Sequence, residues 1–192
     1  VEGQSPQYLV IGCSDSRVPV EQLLGMTSGD VFIHRNVANL VVPSDLNLLS
    51  VIAYAVDALN VKDIIVLGHY DCGGVKCAAA NQDVGIVSYW LHHIRDVFRS
   101  NMDELNAIEC DLARHRRMVE MNVEQQCLNL FSNPVIQKRQ AEHSLPRIHG
   151  LVYDISDGII RSIDVDFRKH IRKIGHIYSY GYFEQKRDEE RK

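Results

Sequence analysis

Short apolar runs that end at glycine or histidine alternate along this chain with longer stretches in which apolar residues recur at helical spacing. Residues 8–11 read as a first strand ending at Gly12, residues 31–33 as a second ending at His34, and residues 64–67 as a central strand ending at Gly68. Between them, Pro19 precedes a short helix over residues 20–24. Ser44 or Asp45 caps a helix whose Leu48, Leu49, Ile52, Val56 and Leu59 share one face. A helix over residues 75–80 points its N-terminus back at the end of the central strand. Two further amphipathic helices follow over residues 87–102 and 118–131, and Pro134 starts a shorter one. Residues 147–155 and 159–165 flank Ser156-Asp157-Gly158 and read as an antiparallel hairpin. Strand–helix alternation of this kind predicts an α/β fold with a central, mostly parallel sheet flanked by helices.

Composition narrows this picture without redirecting it. A chain of 192 residues, read as one domain over 1–192, is long enough to bury a sizeable core, and 45% hydrophobic with 24% charged residues is ordinary for a soluble enzyme. The net charge of −4 argues against a nucleic-acid surface, and no apolar run reaches the roughly 18 residues of a membrane span. Five cysteines are an odd number in a chain too long to need disulfide staples, which points to reduced thiols. That fits the cytoplasm, or an organelle if a targeting segment has been removed. From about residue 167 the chain becomes a charged tail with Ile171, Ile174, Ile177, Tyr178, Tyr180, Tyr182 and Phe183 as apolar anchors. His92, His93 and His115 read as solvated surface residues, His149 as structural, and Met118 and Met121 as core filler.

Chemistry concentrates at two strand ends. Residues 9–18, LVIGCSDSRV, deliver Cys13, Asp15 and Arg17; residues 64–76, IIVLGHYDCGGVK, deliver His69 and Cys72 before a glycine pair. In an open α/β sheet the carboxyl edge of the strands is where sites are built. Cysteine and histidine suit zinc, and a catalytic zinc site keeps three protein ligands and one open position. His69 and Cys72 chelate from a single turn, Cys13 supplies the third ligand if its strand lies beside theirs, and Arg17 can hold the Asp15 carboxylate by paired hydrogen bonds. Either cysteine alone also reads as a small buried hydrophobe.

CSDSR at residues 13–17 followed by HYDCGG at residues 69–74 resembles the β-class carbonic anhydrases, whose pattern is C-x-D-x-R then H-x-x-C. HRNVANLV, DLNLLSVIAYAV, NVEQQ and HGLVYDISDG extend the resemblance from Tyr8 to about Val165, and His34 aligns the chain with the bacterial-type branch, where the plant-type branch usually has Gln. The resemblance implies a core of about four parallel strands with an antiparallel extension, assembled as homodimers or dimers of dimers. It implies a zinc lyase interconverting carbon dioxide and bicarbonate, the metal held by Cys13, His69 and Cys72, and Asp15 with Arg17 as catalytic dyad. In the branch's closed form Asp15 itself becomes the fourth ligand. His34 and the amides near Gly73 and Gly74 are expected substrate contacts, with packing against a partner subunit the alternative for His34. A second, non-catalytic bicarbonate pocket in that branch uses a Trp, an Arg and a Tyr; here the positions hold Val10, Arg35 and Tyr153, so bicarbonate regulation is expected to be weak or absent. Hydrolysis of carbonyl sulfide or carbon disulfide on the same fold, or a non-catalytic zinc or bicarbonate sensor, are the rival functions.

Overall fold

The structure, a computed structural model, describes residues 3–80 and 82–178; the tail anchors Tyr180, Tyr182 and Phe183 lie outside them. Five strands form one sheet in the order β2-β1-β3-β4-β5, with β1 Tyr8–Cys13, β2 Val31–Asn36, β3 Asp63–His69, β4 Arg147–Asp154 and β5 Ile159–Ile163. The first four are parallel, and β5 returns antiparallel to β4 after the turn at Gly158. Strand β3, buried at every position, is the middle of the sheet.

The order in which the strands are laid down positions the site. From β1 the chain passes outward to β2 and then back to β3 on the other flank of β1. The crossovers on either side of β1 and β3 therefore diverge and leave a crevice beyond the carboxyl ends of these two strands. Cys13 is the last residue of β1 and His69 the last of β3.

The helices fall unevenly on the two faces. Helices α2 (Leu46–Ala53, continuing into a π-helical turn at Tyr54–Ala58), α3 (Gly73–Ala79), α4 (Val87–Ser100), α5 (Met102–Asn106), α6 (Asp111–Phe131), α7 (Pro134–His143) and α8 (Phe167–Ile174) gather about the larger core, where Leu9, Ile11, Ile64 and Val66 meet Leu48, Ile52, Leu91, Ile94, Val123 and Leu130. On the other face, among the described residues, only α1 (Val20–Leu24) contributes a helix, packing Val20 with Val10, Val18, Ile65 and Leu67. Asp45 caps α2 by accepting from the N–H groups of Asn47 and Leu48, and Asn133 caps α7 by accepting from Val135.

Helix α6 lies so close to the sheet that glycine is required beneath it. A Cβ on Gly68 would stand 2.5 Å from Val123 Cγ2, and one on Gly150 would stand 3.1 Å from Val123 Cγ1. The same helix fixes the loop after β2. Asn122 Nδ2 donates to the Ala38 carbonyl, Gln126 Oε1 accepts from the Val41 N–H, and Asn129 Nδ2 donates to the Val41 carbonyl.

Several elements extend beyond their apolar runs. β1 continues through Cys13 and β2 through Asn36, because the ladder between them persists to the pair Cys13–Asn36. Helix α6 starts at Asp111 rather than near Met118; its first turns are polar and carry an exposed Leu112, so periodicity is silent there. Met121 is core, as expected. The charged segment from residue 167 opens with α8, docked through Phe167 onto Phe131 with ring centroids 5.0 Å apart. His92 and His93 are exposed beside Tyr89 and Trp90. His115 corrects the surface expectation: it is half-buried, and its Nε2 is enclosed without a hydrogen-bond partner among the described residues. Burial lowers its pKa, with the Lys76 ammonium acting in the same direction. His149 is held by Asp63, Nε2 to Oδ1 at 2.7 Å, beside the paired Arg147–Asp63 bonds.

Candidate metal centre

Cys13, His69 and Cys72 converge at the switch point. Their donor atoms all lie within 4.8 Å of one another, and all three residues are buried. Parallel pairing sets Gly12 beside Leu67, so the end of β1 runs level with the end of β3. Cys72 reaches the same point because the chain turns sharply at Asp71, which adopts a left-handed φ of 62°, before α3 begins at Gly73.

The donors are poised for a cation. The two sulfurs are 3.9 Å apart, within reach of an S–H···S hydrogen bond that either could donate. The hydrogen bond from Cys72 pushes the Cys13 thiol down to about 4 against the opposing effect of burial, and the same contact together with burial pushes Cys72 up. Main-chain N–H groups of Asp15 and Ala38 are directed at the Cys13 sulfur, and those of Val75 and Gly74 at the Cys72 sulfur. The left-handed Ala38, φ 64°, belongs to the loop that α6 pins. His69 donates from Nδ1 to the Tyr70 carbonyl at 2.9 Å, which leaves the lone pair on Nε2. That atom is buried with no hydrogen-bond partner among the described residues. Burial works to lower the His69 pKa, but the negative Cys13 and Asp15 outweigh it and raise it. A buried imidazole nitrogen without a hydrogen-bond partner, facing two closely spaced cysteine sulfurs, is the donor set of a metal ion with soft ligands.

Arg17 holds Asp15 against this cluster. Asp15 Oδ1 accepts from Arg17 N at 2.9 Å and Nε at 3.0 Å, and Oδ2 pairs with Nη2 at 2.7 Å. These bonds keep Asp15 well below the usual carboxylate range and Arg17 above its ordinary value. Asp15 Oδ2 is 3.8 Å from His69 Nε2, so one carboxylate oxygen borders the cluster. A second acid on Arg17, Asp71, is absent from the reading of the sequence: its Oδ2 accepts from Arg17 Nη1 at 3.1 Å, and Lys76 pairs with its other oxygen. Its place between two ligands in H-x-D-C marks the locality but not its partner Arg17, 54 positions away.

The other candidate positions surround this centre at different distances from its chemistry. His34 is buried, its Nε2 3.3 Å from Asn36 Nδ2, and burial lowers its pKa. Gly73 is exposed, with open space where a Cβ would stand; Gly74 packs against Val37 and Ala38. Val10 is fully buried in the smaller core, and Tyr153 packs against that core. Arg35 spends its guanidinium on main-chain carbonyls, donating to Cys13 O at 2.9 and 2.7 Å and to Asp15 O at 2.7 Å.

Comparison with known proteins places this geometry. The carbonic anhydrase family model matches residues 8–160. A carbonic anhydrase of Emericella nidulans is 47% identical over 177 residues, 92% of this chain and 78% of that protein, and one of Pseudomonas aeruginosa is 36% identical over 180 residues, 90% and 80% respectively. A tetrameric β-carbonic anhydrase of Sordaria macrospora superposes with a TM-score of 0.80 at 42% identity, covering 84% of this chain and 82% of that one. The β-carbonic anhydrase of Coccomyxa, solved in complex with acetazolamide, gives 0.81 at 34% identity, covering 98% and 85%. With the family model spanning the four parallel strands and every donor of the metal centre, the chain belongs to the β-class carbonic anhydrases, metalloenzymes that interconvert carbon dioxide and bicarbonate.

Proposed function

We propose that the metal is zinc, held by Cys13, His69 and Cys72, and that Asp15 with Arg17 orients the attacking oxygen in the hydration of carbon dioxide. The observation that carries this reading is the orphaned Nε2 of His69 within 4.8 Å of the two cysteine sulfurs, which are themselves 3.9 Å apart. When bound, zinc supplies from water, at neutral pH, the nucleophile that carbon dioxide needs. The chain's own residues then decide orientation. Asp15, kept ionised by three hydrogen bonds from Arg17, is an acceptor only, so it fixes the attacking oxygen with its hydrogen toward the carboxylate and a lone pair free. Arg17 is itself held by Asp71, which keeps the dyad in place. His34 and Gly73 border the crevice as contacts for carbon dioxide or bicarbonate oxygens; Gly74 contributes less, since its N–H serves the Cys72 sulfur.

His34 supports placement in the bacterial-type branch, whose closed form would bring Asp15 onto the metal in exchange for Arg17. The relatives that match include fungal, bacterial and plant proteins. Bicarbonate held by Arg35 and Tyr153 would have to compete with the carbonyls of Cys13 and Asp15 for the guanidinium, and Val10 offers no donor. Weak or absent bicarbonate inhibition is therefore expected; strong sigmoidal inhibition in initial-rate curves would reject this. Five unpaired cysteines support a reducing compartment, the cytoplasm or an organelle, and one sheet with its two cores supports a single domain over 1–192. The unevenly covered sheet supports assembly as a homodimer or dimer of dimers.

Metal analysis tests the ligand set. The purified chain should carry one zinc, and His69→Ala should retain almost none, because two ligands do not hold zinc as three do. A full zinc complement in His69→Ala would remove the assignment.

A further inference from the structure

The residue after the histidine ligand is gripped from every side. Tyr70 is 5% exposed, and its N–H donates to the Tyr153 carbonyl at 2.9 Å. Its hydroxyl donates to Glu120 Oε1 at 2.6 Å, while the Arg116 guanidinium lies over its ring, 3.6 Å from the centroid. Neither gripping residue is loose. Arg116 Nη2 pairs at 2.6 Å with Asp154 Oδ2, and Asp154 is 3% exposed with its other oxygen accepting from Ser156 N at 3.0 Å and Oγ at 2.6 Å. Glu120 Oε2 faces Arg117, which also pairs with Glu104 and Glu124. Helix α6, braced through Arg116 by Asp154 at the β4–β5 turn, thus closes on one aromatic ring.

This ring carries the carbonyl on which His69 depends. Tyr70 O is the acceptor of the His69 Nδ1–H, and that bond leaves Nε2 free to bind metal. If the Tyr70 peptide rotates, the acceptor is lost, and the proton can move to Nε2, where it blocks ligation. A cation above the ring and a carboxylate at its tip resist that rotation from outside the first ring of ligands.

We propose that Tyr70, clamped by Arg116 and Glu120, is a positioning residue that holds His69 in its metal-binding tautomer and orientation. The proposal rests on the assignment of His69 as a metal ligand. An alternative role for the same contacts is to pin the β4–β5 turn to α6, which would affect stability alone.

Full-length Arg116→Met, Tyr70→Phe and Glu120→Gln variants separate these roles. Zinc affinity would be measured by competition with a chromophoric chelator, ligand geometry by the visible spectrum of the cobalt(II)-substituted protein, and stability by denaturant unfolding of the metal-free chain. Arg116→Met and Tyr70→Phe should weaken zinc binding by about tenfold, the lower end of the range for outer-shell partners because the Tyr70 carbonyl itself remains, and shift the cobalt bands. Glu120→Gln keeps an acceptor for the hydroxyl and should stay within about threefold of the native affinity. Lower metal-free stability, with zinc affinity within about twofold of native and unchanged cobalt bands, would overturn the proposal. If Arg116→Met fails to fold, Tyr70→Phe, which keeps the ring, decides alone. His69→Ala serves as reference: native zinc affinity there would remove the ligand assignment itself, whereas its loss beside an unaffected Tyr70→Phe would remove only the clamp.

Discussion

At the scale of single residues, the dyad works through charge and direction together. Asp15 has one oxygen fully engaged with the Arg17 N–H and Nε, and its other oxygen, though paired with Nη2, borders His69 at 3.8 Å. An amide in its place would offer Arg17 a poorer acceptor and could turn its NH2 toward the attacking oxygen. Asp15→Asn should therefore keep one metal per chain and lose about 10²–10³ of the turnover, the magnitude typical for removing a preorganised polar group. Asp71 explains why Arg17 stays in place, and it also shows a limit of reading residues in order. An acid in a turn between two ligands reads as a solvated turn residue; its role appears only once Arg17, 54 positions away, is brought against it.

At the scale of elements, the close approach of α6 to β3 and β4 governs the geometry. Gly68 directly precedes His69, and a methyl group there would collide with Val123 at 2.5 Å, so helix and strand would have to separate beside the ligand. Gly68→Ala should destabilise the protein by about 1–3 kcal/mol, the usual cost of overpacking, and a further Val123→Ala should recover part of it. Chemical denaturation of the single and double variants checks this; an undiminished loss in the double variant would place the strain elsewhere. The strand ends carrying Cys13 and His69 were legible because buried parallel strands are short apolar runs, and in each the run closes on a glycine one residue before the ligand. The loop from Val37 to Val41 was not, since it is ordered from a distance by Asn122, Gln126 and Asn129. NVEQQ carried that information only as a resemblance: a polar residue on a helix gives no sign in sequence of whether it faces water or a buried carbonyl.

At the scale of the whole molecule, the ion pair between the buried Asp154 and Arg116 ties the end of β4 to α6 and makes stability depend on pH. Ser156, with Arg116 beside it, holds the Asp154 carboxyl down to about 2, below the roughly 3.9 of an unfolded aspartate. A depressed carboxylate pKa contributes stability that is complete above the unfolded value and is lost as pH falls toward the folded one. The stability gap between the native protein and Asp154→Asn should accordingly be constant above about pH 5 and narrow between about pH 4 and pH 2. Urea unfolding of both proteins at equal metal loading measures it; a gap independent of pH would contradict the ionic role of Asp154. The uneven cover of the sheet, long helices on one face and α1 on the other, was hidden from periodicity, which reports that a residue is buried but not against which side.

Stopped-flow measurement of carbon dioxide hydration, on native protein and Asp15→Asn each carrying one zinc per chain, tests the central claim most directly. The expected result is rapid hydration by the native protein, lost on chelation and regained with zinc, together with a metal-replete but nearly inactive Asp15→Asn. Hydration no faster than buffer in zinc-replete native protein, or near-native turnover in Asp15→Asn, would contradict it.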